Sequence, residues 1–353
     1  MSVFASAAGL PIIDRDALVA QIRTDFGVSL RSMSQISGGQ DSHAVTIRAE
    51  SVDGALLAVK VSRHPHVGSL QVCALLAESV GSGIPAPLRA RSGLPYSVLS
   101  GRRLSLTPWI SGRRAYEAGM DAHQWRTFGA VLSQVHVSAL APPITDQLPS
   151  ENYQTPEAAI VRALDQRIRG LQARRPGGSD DPLTGALVCK WNAASDCLAV
   201  ILAQIDGLGD ELRAGAAAQV VCHGDAHIAN VLLDDGGALW LLDWDEVVRA
   251  PRERDLMFVI GDVLADAPVT AQQQAWFFDG YGAVEIDPLH LAYYRCSWAM
   301  QDVADYAARI LDPPAGPSAA RSQALALFGD AVSPTGIASL ALTSLQEIGR
   351  WAT

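Results

Sequence analysis

The stretch AQVVCHGDAHIANVLLDDGGALWLLDWDEVV, residues 218–248, constrains the fold more than any other part of the chain. Its apolar runs (Val220-Val221-Cys222, Val231-Leu232-Leu233 and Leu239-Trp240-Leu241-Leu242) enclose His223, Asp225, His227, Asn230 and Asp243. Polar side chains so closely flanked sit where burial is expected, and a buried carboxylate without a partner is costly. Asp225 and Asp243 therefore need a cation, a donor or a chemical task. The turn Asp234-Asp235-Gly236-Gly237 splits two of the apolar runs, as a β-hairpin would. Asp243, 18 positions after Asp225, then lies across the hairpin from it.

Periodicity divides the rest of the chain. The first hundred residues read mainly as strands, after one short helix that Asp14 can cap, Leu18, Ile22 and Phe26 can bury and Gly27 can end. Strand-like SLRSMSQI, AVTIRAE and ALLAVKVS follow, separated by the polar turn SGGQDSH (37–43) and by Asp53-Gly54, a strong hairpin signal. A helical stretch over about 67–80 leads through GSGIPAP to YSVLS and LSLTPWI, a further strand pair with Arg102 and Arg103 near its turn. From Thr107 onwards the spacing is helical. Trp125, Phe128, Leu132 and Val135 give one helix, over 122–137, a buried face. Further helical stretches are expected at about 156–170, 185–213, 271–281, 288–311 and 317–350, with RRPGGSDDP (174–182) an exposed loop.

Composition narrows the functional classes. The chain has 353 residues, enough for two domains or one large two-lobed unit at ~100–200 residues per domain. Its 27 Lys+Arg against 37 Asp+Glu give a net charge of −10, and no basic patch offers to neutralise a nucleic acid. Nucleic acid is therefore not an expected partner. No apolar run approaches the ~20 residues of a membrane span, and no basic residue precedes Arg15 as a signal peptide would require. The five cysteines form no CxxC pair, which points to reduced thiols and a cytoplasmic protein.

The polar residues of the 218–248 stretch suit phosphoryl transfer. In such sites one Asp orients the acceptor hydroxyl, while an Asn and a second Asp hold Mg²⁺ on the nucleotide phosphates. Asp225, Asn230 and Asp243 offer that set, and their oxygen donors suit a hard cation. Two other readings stand beside it. His223 and His227, four apart, could ligate zinc in a metal-dependent hydrolase, but Gly224 and the strand-like VVC argue against the helix this needs. Alternatively, Asp225 and Asn230 merely cap a turn.

HGDAHIANVL followed by LLDWDE resembles the signature of the aminoglycoside phosphotransferase and choline-kinase family, relatives of the protein kinases. The run from Asp243 through APRERDLMF (250–258) is most similar to the spectinomycin phosphotransferase branch. The resemblance extends in order through Ser37–His43, Lys60, Gly83–Pro87, Thr107–Gly112 and Gly129–His136. It implies an α+β, two-lobed, protein-kinase-like fold, with a small antiparallel-sheet N-terminal lobe over 1–106 and a large, mainly helical C-terminal lobe over 107–353. It also implies ATP and Mg²⁺ as cofactors, with Asp225 as the catalytic base or hydroxyl-orienting residue and Asn230 and Asp243 as magnesium ligands. Lys60 matches the lysine on the α- and β-phosphates. Ser37, Gly38, Gly39, Gln40, Asp41 and Ser42 match the nucleotide-covering loop, and Thr107, Trp109 and Ile110 the hinge that receives adenine. His223 is expected to hold the loop, and Asp255 to tie the catalytic segment to the helix after it. One departure stands out: where the family carries a helix glutamate for the lysine, this chain reads Gly68-Ser69-Leu70-Gln71, and the nearest acid is Glu78. Either Gln71 serves Lys60 as a neutral partner or the ion pair is built differently.

The acceptor is expected to be small. Gly224 stands where regulated protein kinases place an arginine, and Asp255 follows Asp243 by only 12 positions, too few for a long activation segment. Asp245 and Glu246, with Trp298 and Asp302 on a later helix, are candidates to attract an amine-bearing acceptor. For Asp302 a solvated helix face, and for Trp298 core packing, are the plainer readings. The expected activity is phosphorylation of an aminocyclitol or aminoglycoside hydroxyl, with spectinomycin foremost, conferring resistance. The alternatives are a kinase of a metabolic alcohol (choline, homoserine or a sugar) and a silent nucleotide-binding pseudoenzyme. No obligate protein partner is implied.

Overall fold

The alternation in the first hundred residues becomes one five-stranded antiparallel sheet. A computed structural model describes residues 3–4, 13–36, 44–63, 68–174, 181–215, 217–261, 263–264, 267–312 and 318–351. Strands β1 (Leu30–Gln35), β2 (Ala44–Ser51), β3 (Leu56–Ser62), β4 (Ser97–Leu99) and β5 (Arg102–Pro108) take the order β1-β2-β3-β5-β4. The Asp53-Gly54 turn closes the β2–β3 hairpin, with the Gly54 N–H donating to the Ser51 carbonyl at 3.1 Å. Helix α1 (Arg15–Phe26) precedes the sheet. The Asp14 carboxylate caps it by accepting from the Ala17 N–H at 2.9 Å, and left-handed Gly27 ends it.

Register assigns the two faces of the sheet. Val45 pairs with Val61, Ile47 with Val59, Ala49 with Leu57, and Val59 and Val61 meet Leu106 and Leu104. These residues are buried in one cluster with Leu18 and Ile22 of α1. Because side chains alternate along a strand, the opposite face receives Lys60 and Ser62, with their pairing partners Ser105 and Arg103. One sheet thus offers an apolar face to its helix and a cationic face to whatever packs on the other side.

The chain forms two compact units: residues 1–150, 220–249 and 276–282 in the first, and 151–219, 250–275 and 283–353 in the second. Besides the sheet strands the first unit holds α2 (Gly68–Val80), between β3 and β4, and then β6 (Gly112–Arg114) and α3 (Ala122–His136). Trp125, Phe128, Leu132 and Val135 of α3 are buried, and an Asp121/Gln124 capping box starts the helix. The 218–248 stretch contributes β7 (Val220–Cys222) and the hairpin β8 (Val231–Asp234) to β9 (Leu239–Leu241), closed by the expected Asp-Asp-Gly-Gly turn. Strand β6 joins that hairpin in a three-stranded sheet.

The remaining chain is mainly helical: α4 (Pro156–Arg174), α5 (Pro182–Ala214), α6 (Ala271–Tyr281), α7 (Pro288–Leu311), α8 (Ser318–Ala331) and α9 (Ile337–Glu347). Within the second unit α7 is central, packed by α4, α5, α8 and α9. Several boundaries differ from the sequence reading: α4 runs on to Arg174, and β6 lies within the region expected to be helical from Thr107. The stretch over 317–350 is two helices and not one, broken around Ser333-Pro334-Thr335-Gly336. Pro334 cannot continue the α8 ladder, and Gly336 lies so close to the end of that helix that a Cβ would sit 2.1 Å from the Asp330 carbonyl. The helix expected from 185 starts at Pro182, because proline suits the first turn and Asp181 caps it. By length and composition α5 could cross a membrane, although no run of that length stands out in the sequence. Leu187, Trp191, Ala194, Leu198, Ile201, Ile205, Leu208 and Leu212 form its buried stripe.

Ile47, fully buried under α1, anchors the apolar face of the first sheet. Ile47→Ala is expected to cost about 3 kcal/mol, read as a lower denaturant midpoint in the sheet's unfolding transition.

Candidate active site

Local bonding turns the 218–248 stretch into a catalytic-loop geometry. After β7 the backbone reverses at Gly224, whose φ of 85° is left-handed and whose Cβ, if present, would lie 2.1 Å from the Glu246 carbonyl oxygen. Glycine is required there on both counts, which is why no arginine can precede Asp225. His223 is fully buried. Its Nε2 lies 2.9 Å from the Leu242 carbonyl oxygen, its Nδ1 accepts from the Asp225 N–H at 3.3 Å, and its ring meets Trp244 edge-on at 4.7 Å. Both ring nitrogens hold the loop, as expected, and this removes the basis for a zinc pair with His227.

Asp225 and Asn230 are linked directly, and Asp243 is tied to them through the residue before it. The Asn230 amide nitrogen donates to the Asp225 Oδ2 at 2.7 Å and to the Asp225 carbonyl at 2.9 Å. With its nitrogen so committed, the amide oxygen is the group left to serve a metal. The Asn230 carbonyl accepts from the Leu242 N–H at 2.8 Å, which fixes the residue before Asp243 against the loop. The reading in which Asp225 and Asn230 merely cap a turn does not account for the side-chain link between them. His227, weighed in the sequence only as a zinc ligand, stands with its Nε2 3.2 Å from the Asp225 Oδ1.

Asp243 has a φ of 62°, a conformation that costs a non-glycine residue of order 1–3 kcal/mol and persists only where the surroundings impose it. The strained backbone delivers its carboxylate to Lys60, with Nζ 2.9 Å from Oδ1. Asp245 also reaches the ammonium, with Oδ2 at 2.6 Å. Burial alone would lower the pKa of Lys60, but the two carboxylates outweigh it and hold the group firmly protonated. Arg103, from the same sheet face, pairs with the Asp245 Oδ1 and donates to the Ser69 hydroxyl at 3.4 Å. Cys73, one helical turn after Ser69, is buried, and burial together with the Asp245 charge pushes its thiol up.

Side-chain exposure separates the two acids: 40% for Asp243 against 8% for Asp245. Asp243 can still reach an added cation. Asp245, which the sequence offered to a cationic acceptor, has both oxygens on protein cations instead. Two carboxylates therefore flank Lys60 without any acid from the start of α2. That partnership was the open question in the sequence, and neither Asp245 nor Arg103 was read there as its answer.

The other sequence candidates are spread more widely. Ser37–Ser42 lie outside the described residues. Thr107 lies in β5, the Trp109 N–H donates to the Leu56 carbonyl at 2.9 Å, and Arg48 lies over the Trp109 ring at 5.6 Å. Ile110 is half-buried. Glu246 is exposed beside Asp245. Trp298 and Asp302 belong to the second unit. Trp298 meets Phe258 edge-on at 4.8 Å with Arg254 over its face, and the Asp302 carboxylate bonds the Tyr306 phenol.

Comparison with known proteins places the chain in a family. The model of the phosphotransferase enzyme family known as APH matches residues 32–289. Protein StrN of Streptomyces griseus is 26% identical over 254 residues, covering 70% of this chain and 72% of that protein. Among solved structures, spectinomycin phosphotransferase APH(9)-Ia in complex with ADP and spectinomycin superposes with a TM-score of 0.79 at 26% identity, covering 96% of this chain and all of the other. An aminoglycoside phosphotransferase from Alicyclobacillus acidocaldarius shares the fold, with a TM-score of 0.55 at 15% identity over 98% of each chain. The chain belongs to the APH phosphotransferase family. Its antiparallel N-terminal sheet and larger helical region form the kinase-like fold of that family, and it is a phosphotransferase with a hydroxyl acceptor.

Gly224 gives a direct check on the loop. Gly224→Ala should displace Asp225 by enough to lower kcat/KM by about 100-fold or more, while circular dichroism reports the native helix content.

Proposed function

We propose that this enzyme transfers the γ-phosphoryl group of ATP to a hydroxyl of a small cationic aminocyclitol antibiotic, with spectinomycin the foremost acceptor, and so confers resistance. The observation that carries the reading is the linked set Asp225, Asn230, Asp243 and Lys60, in a chain similar over nearly all its length to a spectinomycin phosphotransferase. ATP use is supported by the ADP and AMP found in solved complexes of that relative.

Each residue then has a physical task. Asp225, oriented by Asn230 through its Oδ2, accepts a hydrogen bond from the acceptor hydroxyl and takes its proton late in an in-line transfer. Lys60 neutralises phosphate charge from the sheet face. The Asn230 amide oxygen and the exposed Asp243 carboxylate would hold Mg²⁺. The donor set fits that ion, since both are hard oxygen ligands and Asp243 already has a cation, the Lys60 ammonium, at 2.9 Å. When bound with the nucleotide, magnesium supplies neutralisation of the phosphate charge. In this reading residues 1–106 form the nucleotide lobe, with Ser37–Ser42 over the phosphates and Thr107–Ile110 against adenine. Residues 107–353 carry the catalytic loop, and Glu246, Trp298 and Asp302 are each a candidate acceptor contact to test by substitution.

The test is incubation of the pure enzyme with ATP, Mg²⁺ and an acceptor panel of spectinomycin, choline, homoserine and a sugar, followed by mass spectrometry. Spectinomycin is expected to gain one phosphoryl group. Transfer to another acceptor alone would move the assignment, and transfer to none would favour a silent nucleotide binder. Asp225→Ala is expected to lower kcat by about 1,000-fold while ATP binding is kept. Near-normal turnover in that variant would remove its assigned role.

A further inference from the structure

Two cations share one face of the first sheet. Lys60 pairs in register with Ser105 and Arg103 with Ser62, so the two basic residues are diagonal neighbours. Diagonal neighbours stand roughly 7–8 Å apart, and unscreened like charges there repel. Asp245 is the anion between them: Arg103 holds its Oδ1 and Lys60 its Oδ2. Its side chain is only 8% exposed, against 40% for Asp243. It has no open edge for a metal ion or an acceptor amine.

The surroundings explain how an acid reached that position from the catalytic segment. Helix α2 packs on the short turn Trp244–Glu246. The helix offers that turn Ser69 and Cys73, which lie on one face four residues apart. Ser69 accepts from Arg103 at 3.4 Å, and the Asp245 charge is felt at the Cys73 thiol. Small side chains on this face of α2 thus stand beside the Arg103–Asp245 pair.

We propose that Asp245, clamped by Arg103, is the positioning residue for Lys60, in place of a helix glutamate. It acts on the nucleotide only through Lys60. This rests on the reading of Lys60 as the contact to the α- and β-phosphates. Asp243 touches the same ammonium, but its exposure and strained backbone assign it to the metal, which leaves Asp245 as the carboxylate dedicated to the lysine. No acid on α2 is then needed for full activity, and nothing in α2 has to move to form the ion pair.

The experiment is a double-mutant cycle read by calorimetric binding of ADP with Mg²⁺, with adenosine as a control that carries no phosphate. D245N is expected to weaken ADP binding about 10-fold, and K60A by a similar factor. K60A/D245N should fall within about twofold of K60A alone, because both changes remove one interaction. Adenosine affinity should stay within about twofold throughout, which a general loss of structure would not permit. D245N leaves Arg103 buried without its anion, so R103M/D245L, which removes both charges together, covers the case in which D245N does not fold. It should show the same loss of ADP binding and the same unchanged adenosine binding. Additive losses in the cycle would overturn the proposal. A D245N effect confined to the Mg²⁺ concentration required would also overturn it, by making Asp245 a metal ligand. ADP binding untouched in K60A would overturn the reading of Lys60 itself, and this inference with it.

Discussion

The site depends on the balance of charge around Lys60. One strand places an ammonium on the cationic face of a sheet, and a turn 183 residues later returns two carboxylates to it. Removing one partner from such a partly buried cluster would leave an uncompensated charge, so the catalytic segment and the sheet hold each other in register. Arg103 extends the cluster to α2 through Ser69. Two cations and two anions make the group neutral as it stands. A nucleotide's phosphates would therefore arrive together with their own counter-cation, which is how nucleotides are bound in kinases.

Around that centre, backbone conformation does as much as charge. Gly224 lets the chain pass within contact of the Glu246 carbonyl, and Asp243 accepts a left-handed φ that its neighbours impose. His223 ties the two ends of this arrangement together, from the Asp225 N–H to the Leu242 carbonyl. Of the non-glycine residues with positive φ among those described, Ser100, Tyr153 and Asp243, the last sits where the chemistry is expected.

Much of this was legible from residue order. The Asp-Gly hairpin, the α3 face of Trp125, Phe128, Leu132 and Val135, and the Asp-Asp-Gly-Gly turn are set by short-range rules that sequence exposes directly. Asp225, Asn230 and Asp243 were also readable, because polar residues inside apolar runs are expensive unless used. The partner of Lys60 was not readable. Asp245 is 185 positions from it, and Arg103 looks like an ordinary turn arginine until the β3–β5 register puts it diagonal to the lysine. The break at Ser333–Gly336 was missed for a different reason: its cause is a close backbone approach at Gly336 as well as a proline.

The central claim is that this cluster receives a divalent cation together with a nucleotide. Its most direct test is electron paramagnetic resonance of Mn²⁺, used in place of Mg²⁺, titrated with the enzyme and ADP. The native enzyme should bind Mn²⁺ with ADP at saturable sites, and Asp243→Ala should weaken that binding by about 10-fold or more. Equal Mn²⁺ binding by the two proteins in the presence of ADP would contradict the account.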